Sequence, residues 1–274
     1  TILEMQNECM KHILDNPTPL QVPCVIAGTK HDKITEFDLE STTYLVRVVH
    51  YLPGLLLNDV SHHKSMLHEL GSFLGNLSLI MSSFNHSAAH RNFPWDIAQT
   101  DFLENHKHHV SEHEEIIDHF VKLYKKNVLI NDASLRKAVI HNDCNDHNIL
   151  VNNNGNMIGI IDFGDMVYSF VACEPAVCMA YVALEKDEPL ESIAQVLKGF
   201  HETFPLTENE LLSTIYFVCI RSCITVTMAA YRKLLFPENK YIWVTEDQSW
   251  NFLKQMQNED LDKWSQKLLS YAQS

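Results

Sequence analysis

The sequence predicts an α+β chain, with strands up to about residue 52 and then a mostly helical body around a hairpin at 145–163. Three patterns predict it. Residues 139–165 hold two short β-branched, apolar runs on either side of Asn152-Asn153-Asn154-Gly155-Asn156, which reads as a β-hairpin. Residues 23–29 and 41–52 read as two further strands, joined by a polar turn around His31-Asp32-Lys33. Apolar residues elsewhere recur at helical spacing, most densely over 206–235.

Composition narrows the classes. With 274 residues, 46% of them apolar, the chain can build one large core or two small ones. It lacks an uninterrupted apolar run of about 18 residues, so no membrane span is expected. The formal charge of −14 argues against nucleic acid as a partner, because phosphate contacts need clustered Lys and Arg. The same acidity suits a cationic substrate and aids solubility. Seven Cys without a Cys-x-x-Cys form neither a disulfide framework nor a zinc site, and a reducing, cytoplasmic setting fits. The chain opens Thr-Ile-Leu-Glu, with no initiator Met and no leader, and reads as a piece of something longer.

Residues 1–15 place Ile2, Met5, Cys9, Ile13 and Leu14 on one face of an amphipathic helix. The strand Tyr44-Leu-Val-Arg-Val-Val-His-Tyr-Leu stops at Pro53-Gly54. A helix over 59–84 turns Met66, Leu67, Leu70, Phe73, Leu74, Leu77 and Ile80 inward. An irregular stretch, 86–100, carries Arg91, Trp95 and Asp96. Trp95 either plugs the core beneath a loop or, with Asp96, walls a pocket for an ammonium group. Residues 101–127 read as one long polar helix bearing His106, His108, His109, His113 and His119. His109 and His113, one turn apart, have a metal-compatible spacing, yet such charge-rich faces are ordinarily just solvated.

After the hairpin a helix begins at Glu174-Pro175 and runs to Leu184, with Pro in the tolerated first turn. Helices over 188–203 and 206–235 follow, then a loop at Pro237–Tyr241 and a closing amphipathic helix over 246–272. The 206–235 helix is apolar nearly all round and should be buried, with Arg221 in its middle. A buried Arg requires an anion. Glu174, Asp165 or a substrate carboxylate can each supply it, since Arg pairs with carboxylates in a bidentate fork.

Polar residues mark both ends of the hairpin. His141, Asp143 and Asn148 precede or open its first strand, and Asp162 closes the second. Paired strands lie about 5 Å apart, so an Asn148 amide oxygen and an Asp162 carboxylate converge where a hard cation such as Mg²⁺ would sit. Asp143, on the loop leading in, is placed to orient a hydroxyl. Phosphoryl transfer to an alcohol needs that combination.

His141-x-Asp143-x-x-x-x-Asn148, followed by Ile161-Asp162-Phe163-Gly164, resembles the catalytic and metal loops of the aminoglycoside phosphotransferase and choline kinase-like superfamily. The resemblance spans residues 1–274 and implies a protein-kinase-like fold: a partial nucleotide-binding lobe over 1–52 and a catalytic, acceptor-binding lobe over 53–274. It implies Asp143 as base, Asn148 and Asp162 as Mg²⁺ ligands, and His141 and Glu174 as braces of the loop. It also implies that backbone at His50, Tyr51 and Leu52 meets the nucleotide base, and that Glu8 pairs with a phosphate-binding Lys lying before residue 1. The superfamily more often has Gly where Asn142 stands, and Asn tolerates positive φ nearly as well.

Tyr51-Leu52-Pro53-Gly54, Trp95-Asp96 and Ile161-Asp162-Phe163-Gly164-Asp165-Met166-Val167-Tyr168 resemble the branch of that superfamily that phosphorylates 5-hydroxylysine, and the resemblance implies GTP or ATP as donor. For such an acceptor Trp95, Asp96 and Arg221 are the candidate contacts. Rival acceptors are homoserine, choline and ethanolamine. With eight Gly and no Gly-x-Gly-x-x-Gly cluster, a non-catalytic fragment is the alternative of a different class.

Overall fold

The computed structural model describes residues 1–186, 188–239 and 245–274. Helix α1 (Ile2–Asp15) buries Met5, Cys9, Met10 and Ile13, as its spacing dictates. Strand β1 (Val25–Ile26) pairs antiparallel with β4 (Val48–Val49), and β2 (Thr35–Leu39) with β3 (Thr42–Val46). The early strands therefore differ from expectation. The polar turn exists, closed by Gly28 N–H donating to Asp32 O at 2.8 Å. It leads into β2, and a second turn at Glu40-Ser41, with Glu40 at φ 53°, reverses the chain into β3. Phe37 and Leu39 alternate with Glu36 and Asp38 as a strand requires, although both faces of the hairpin are exposed and neither joins the core.

The chain then forms β5 (Leu55–Leu56), a 3₁₀ turn at Leu57–Asp59, and α2 (Lys64–Met81), whose first turn is capped by the His63 ring accepting from Met66 N–H at 3.1 Å. Where one helix was expected over 101–127 there are three pieces. Helix α3 (Asp101–His106) gives way to a 3₁₀ stretch that kinks at Val110 (φ −112°, ψ 41°), and α4 (Glu114–Asn127) follows. Three of the His rings there pack against aromatic neighbours: His106 and His109 lie tilted against Tyr231, and His113 meets Trp250 edge-on.

Strand β6 (Lys137–Ile140) pairs with β9 (Val167–Phe170). Between them stand β7 (Ile149–Val151) and β8 (Met157–Ile160), the predicted hairpin, which with β5 makes a three-stranded antiparallel sheet. Helices α5 (Cys173–Val182), α6 (Pro189–Thr203) and α7 (Glu208–Leu235) build the helical core, with α5 against both α6 and α7, and α6 against α2. Helices α2 and α6 touch backbone to backbone: a Cβ on Gly71 would lie 2.0 Å from Val196 O, and one on Gly199 1.9 Å from His68 O. Only glycine admits that approach.

Helix α7 is long and apolar enough to cross a membrane by length and composition, yet 94% of its most apolar window is buried inside the protein. It is the central core helix. The expected closing helix is two, α8 (Glu246–Gln257) and α9 (Leu261–Ala272), because the Asp260 carboxylate accepts from Lys263 N–H at 3.1 Å and starts a new N-terminus. The expected loop over Pro237–Tyr241 is described only to Asn239; its last two residues lie outside the described residues. None of the seven Cys is disulfide-bonded, and six are buried.

Candidate active site

Strand β6 delivers His141, Asn142 and Asp143 into a loop that returns through Asn148 into β7. The loop reverses at Asn142, whose φ of 65° is left-handed, a conformation Asn adopts more readily than most residues. Beneath it lies a fully buried brace. Glu174 Oε2 accepts from the His141 backbone N–H at 2.6 Å and Oε1 from the Cys144 thiol at 2.7 Å. The His141 ring sits against Ile161 O (3.1 Å) and the Asp143 backbone N–H (3.3 Å), which makes it a neutral Nε2–H donor and Nδ1 acceptor. Burial holds its pKa down at about 4 and holds the Glu174 carboxyl above the usual range. His141, Cys144 and Glu174 are the one trio among the described residues whose potential metal-ligating atoms gather within 4.8 Å, but their mutual and backbone hydrogen bonds already engage them.

Asp143 accepts three side-chain donors: Asn148 Nδ2 at 2.7 Å, Asn145 Nδ2 at 2.9 Å and Arg221 Nη2 at 3.1 Å. Burial pushes its carboxyl up to about 6; Arg221 pulls against that, and Asp165 and Asp162 add to it. Asn148 Nδ2 also donates to Asp143 O at 2.9 Å, so its amide oxygen is turned away from Asp143. Asp162, one residue beyond the backbone bond from Ile161 N–H to Asn148 O (2.9 Å), has φ 60° and accepts from Gly164 N–H through Oδ1. Among the described residues neither Asn148 Oδ1 nor Asp162 Oδ2 accepts a hydrogen bond. One neutral and one anionic oxygen at the same end of a hairpin is a donor set that suits Mg²⁺. Arg91 clamps the following turn, donating from Nη2 to both Gly164 O and Met166 O at 2.9 Å.

Two clefts meet at Asp162. The first, about 530 Å³ and mainly apolar, is lined by His50, Tyr51, Leu52, Leu150, Phe163 and Arg47 among others. His50 N–H is taken by Cys24 O at 2.9 Å, whereas among the described residues Tyr51 and Leu52 make no backbone–backbone bond. The second, about 390 Å³ and polar, is lined by Asp143, Asn148, Asp165, Trp95, Tyr181, Arg221 and Arg232 among others.

Three expected positions are corrected. Asp96 is absent from the second cleft: its carboxylate points into the core and accepts from Ser169 Oγ (2.5 Å), Gln99 Nε2 (2.7 Å) and Ala98 N–H (3.0 Å). A carboxylate so engaged, with burial raising its pKa, holds the loop and has nothing left for an ammonium. Arg221 is 1% exposed and its acid is Asp143, not Glu174 or Asp165; its Nη1 reaches Trp95 O and Asn142 O. Glu8 is solvated, 3.9 Å from His86 Nε2, and lines neither cleft; the polar residues that α1 buries are Gln6 and Asn7. Trp95 both packs against the core and walls the second cleft. Sequence reasoning passed over Arg47, Tyr181 and Arg232 as cleft residues, because only the fold gathers them.

Residues 3–207 match the family model described as a phosphotransferase enzyme family. The chain is 31% identical over 272 residues to hydroxylysine kinase of Mus musculus, covering 93% of this chain and 72% of that protein. It is 29% identical to hydroxylysine kinase of Bos taurus, with the same coverage. Among solved structures it resembles amicoumacin kinase hAmiN, bound to AMP-PNP, Ca²⁺ and Ami, with a TM-score of 0.68 and 14% identity over 96% of this chain and 80% of that one. A microcompartment-associated aminopropanol kinase gives 0.66 and 14%, over 99% and 78%. At such identities the structures establish a shared kinase-like fold.

Proposed function

The chain belongs to the phosphotransferase enzyme family, as a small-molecule kinase with a hydroxyl acceptor, and on that premise we propose that it moves the terminal phosphoryl group of Mg²⁺-bound GTP or ATP onto the side-chain hydroxyl of an amino acid, 5-hydroxy-L-lysine. The observation that carries this reading is the junction at Asp162. An apolar cleft with two unpaired backbone units is suited to a nucleobase, and a polar cleft holding Asp143 is suited to an acceptor alcohol. Asn148 and Asp162 would hold Mg²⁺, which supplies charge neutralisation at the transferring phosphate.

The chain's own residues do the rest by positioning. Asp143, ionised above about pH 6, accepts the hydroxyl proton and aims its oxygen. Asn145, Asn148 and Arg221 fix that carboxylate from three sides. Little covalent chemistry is asked of the protein, so fixed geometry and charge carry the rate.

Acceptor recognition falls to the corrected set. Arg232, exposed at the mouth of the second cleft, is suited to the substrate carboxylate, and Asp165, whose carboxyl burial holds above its usual range, to an ammonium. The Trp95 face already meets the guanidinium of Arg221 at 4.6 Å and that of Arg232 at 5.8 Å. It offers no empty aromatic cage of the kind a choline headgroup needs, which favours the amino acid over choline. Kinase assays with GTP and ATP against 5-hydroxylysine, homoserine, ethanolamine and choline test this. Preferred turnover of 5-hydroxylysine, with a raised KM in Arg232→Met, is the expected result. Preferred turnover of choline or ethanolamine refutes the acceptor assignment.

A further inference from the structure

We propose that Arg47 is a phosphate-binding cation of the nucleotide cleft, aimed by two side-chain amides of α1 and, among the described residues, held in no ion pair, so that its charge serves the ligand. The inference rests on the kinase reading of that cleft.

Arg47 lies between β3 and β4 and is half-buried, lining the first cleft together with Asp162. Among the described residues lining that cleft it is the one permanent cation. Its Nη1 donates to Asn7 Oδ1 at 2.7 Å and its Nη2 to Gln6 Oε1. Gln6 and Asn7 are 6% and 5% exposed, on the helix face otherwise given to Met5, Cys9, Met10 and Ile13. Burying amides on such a face is unfavourable unless they are hydrogen-bonded, and Arg47 satisfies one oxygen of each.

The choice of acceptor is informative. Had the contact served only to anchor α1, a carboxylate would have done so about twice as strongly. This protein makes such a contact elsewhere, between Arg136 and Glu210. Two neutral oxygens instead fix the direction of the guanidinium without cancelling its charge. Partial burial disfavours that charge, and the Asp162 carboxylate favours it, so the two groups sense each other across the cleft. A planar fork beside a metal-binding acid matches the needs of a polyphosphate, whose oxygens Arg grips in pairs.

The test is calorimetric titration of the wild type, Arg47→Met, Arg47→Lys and Asp162→Ala with Mg²⁺–ATP, Mg²⁺–ADP, adenosine and the guanosine equivalents. Arg47→Met is expected to weaken triphosphate binding by about tenfold to a hundredfold. It should weaken the diphosphate less and leave the nucleoside unchanged, with Arg47→Lys intermediate. The wild-type preference for triphosphate should also decline with added salt more steeply than that of Arg47→Met. Equal losses for triphosphate and nucleoside would make Arg47 a scaffold of the cleft and overturn the proposal. So would unchanged triphosphate affinity in Arg47→Met while Asp162→Ala loses it, a result that leaves the kinase reading intact. A folded wild type that binds no nucleotide overturns both together. Should Arg47→Met fail to fold, the triphosphate-to-nucleoside affinity ratio of Arg47→Lys decides alone: a ratio equal to that of the wild type overturns the proposal.

Discussion

Helix α7 carries one half of each of two Arg–carboxylate pairs, and the pairs are built oppositely. At its N-terminus, Glu210 is saturated: it accepts from Arg136 Nε at 2.9 Å and Nη2 at 2.6 Å, from the Arg136 backbone N–H at 2.9 Å and from the Thr207 backbone N–H at 2.8 Å. Burial works to raise its pKa, but those donors outweigh it and the pKa lies below the ordinary value. In the middle of the helix, Arg221 gives Asp143 one donor at 3.1 Å and keeps a buried Nε that has no partner among the described residues. There burial wins, and the carboxyl rises to about 6. The first pair engages its acid fully, whereas the second leaves its acid basic enough to take a proton, as the proposed role of Asp143 requires.

The largest expected effect breaks the second pair. Asp143→Asn should lower kcat by about 10²- to 10⁴-fold while leaving Mg²⁺–nucleotide affinity near wild type. Steady-state kinetics and calorimetry together check this, and near-normal turnover would remove Asp143 from the role of base. Next comes the first pair: Glu210→Gln should destabilise by about 2–3 kcal/mol in urea denaturation, with kcat of the folded protein unchanged. Because the folded pKa of Glu210 is depressed, its contribution is complete above the ordinary carboxylate range and is lost as pH falls through the folded value. The stability gap between wild type and variant should therefore close in acid.

Arg221→Met sharpens the contrast with a subtler readout. The acid limb of kcat/KM for the wild type should fall near pH 6, activity rising as Asp143 ionises. Removing the cation disfavours the ionised form, so in Arg221→Met the limb should move to higher pH by about one; an unmoved limb would mean that Arg221 does not set Asp143. The smallest effect belongs to the cap: Thr207 Oγ1 accepts from Glu210 N–H at 3.3 Å, and Thr207→Ala should cost about 1 kcal/mol by thermal or chemical denaturation.

What could be read from the sequence was local. Asp143, Asn148 and Asp162 fall within one hairpin and its approaches, so spacing alone brings them together. The reach from Arg221 to Asp143 spans 78 residues, and the sequence could say only that a buried Arg needs some acid. Asp96 and Asp165 look alike on paper; only the fold turns one inward to Ser169 and the other into the cleft. Strand β2 does carry an alternating pattern, Phe37 and Leu39 against Glu36 and Asp38, but the segment is short and fully exposed, outside the core that apolar spacing traces. The break before α9 was signalled by Asp260 as a helix cap and passed over, because apolar spacing continued on both sides.

Two left-handed residues at the site, Asn142 at φ 65° and Asp162 at φ 60°, share a backbone shape that glycine would take at lower cost. Their freedom over evolutionary time should nevertheless differ. At 142 the side chain only braces the Trp95 and Asp165 carbonyls, so lineages that keep the reaction can exchange Asn for Gly and back. At 162 the side chain is the one both clefts share, and under the proposed metal-binding role selection for transfer would forbid the exchange that the backbone alone would welcome. Descendants released from that selection should lose aspartate at 162 early and become more thermostable as they fall silent.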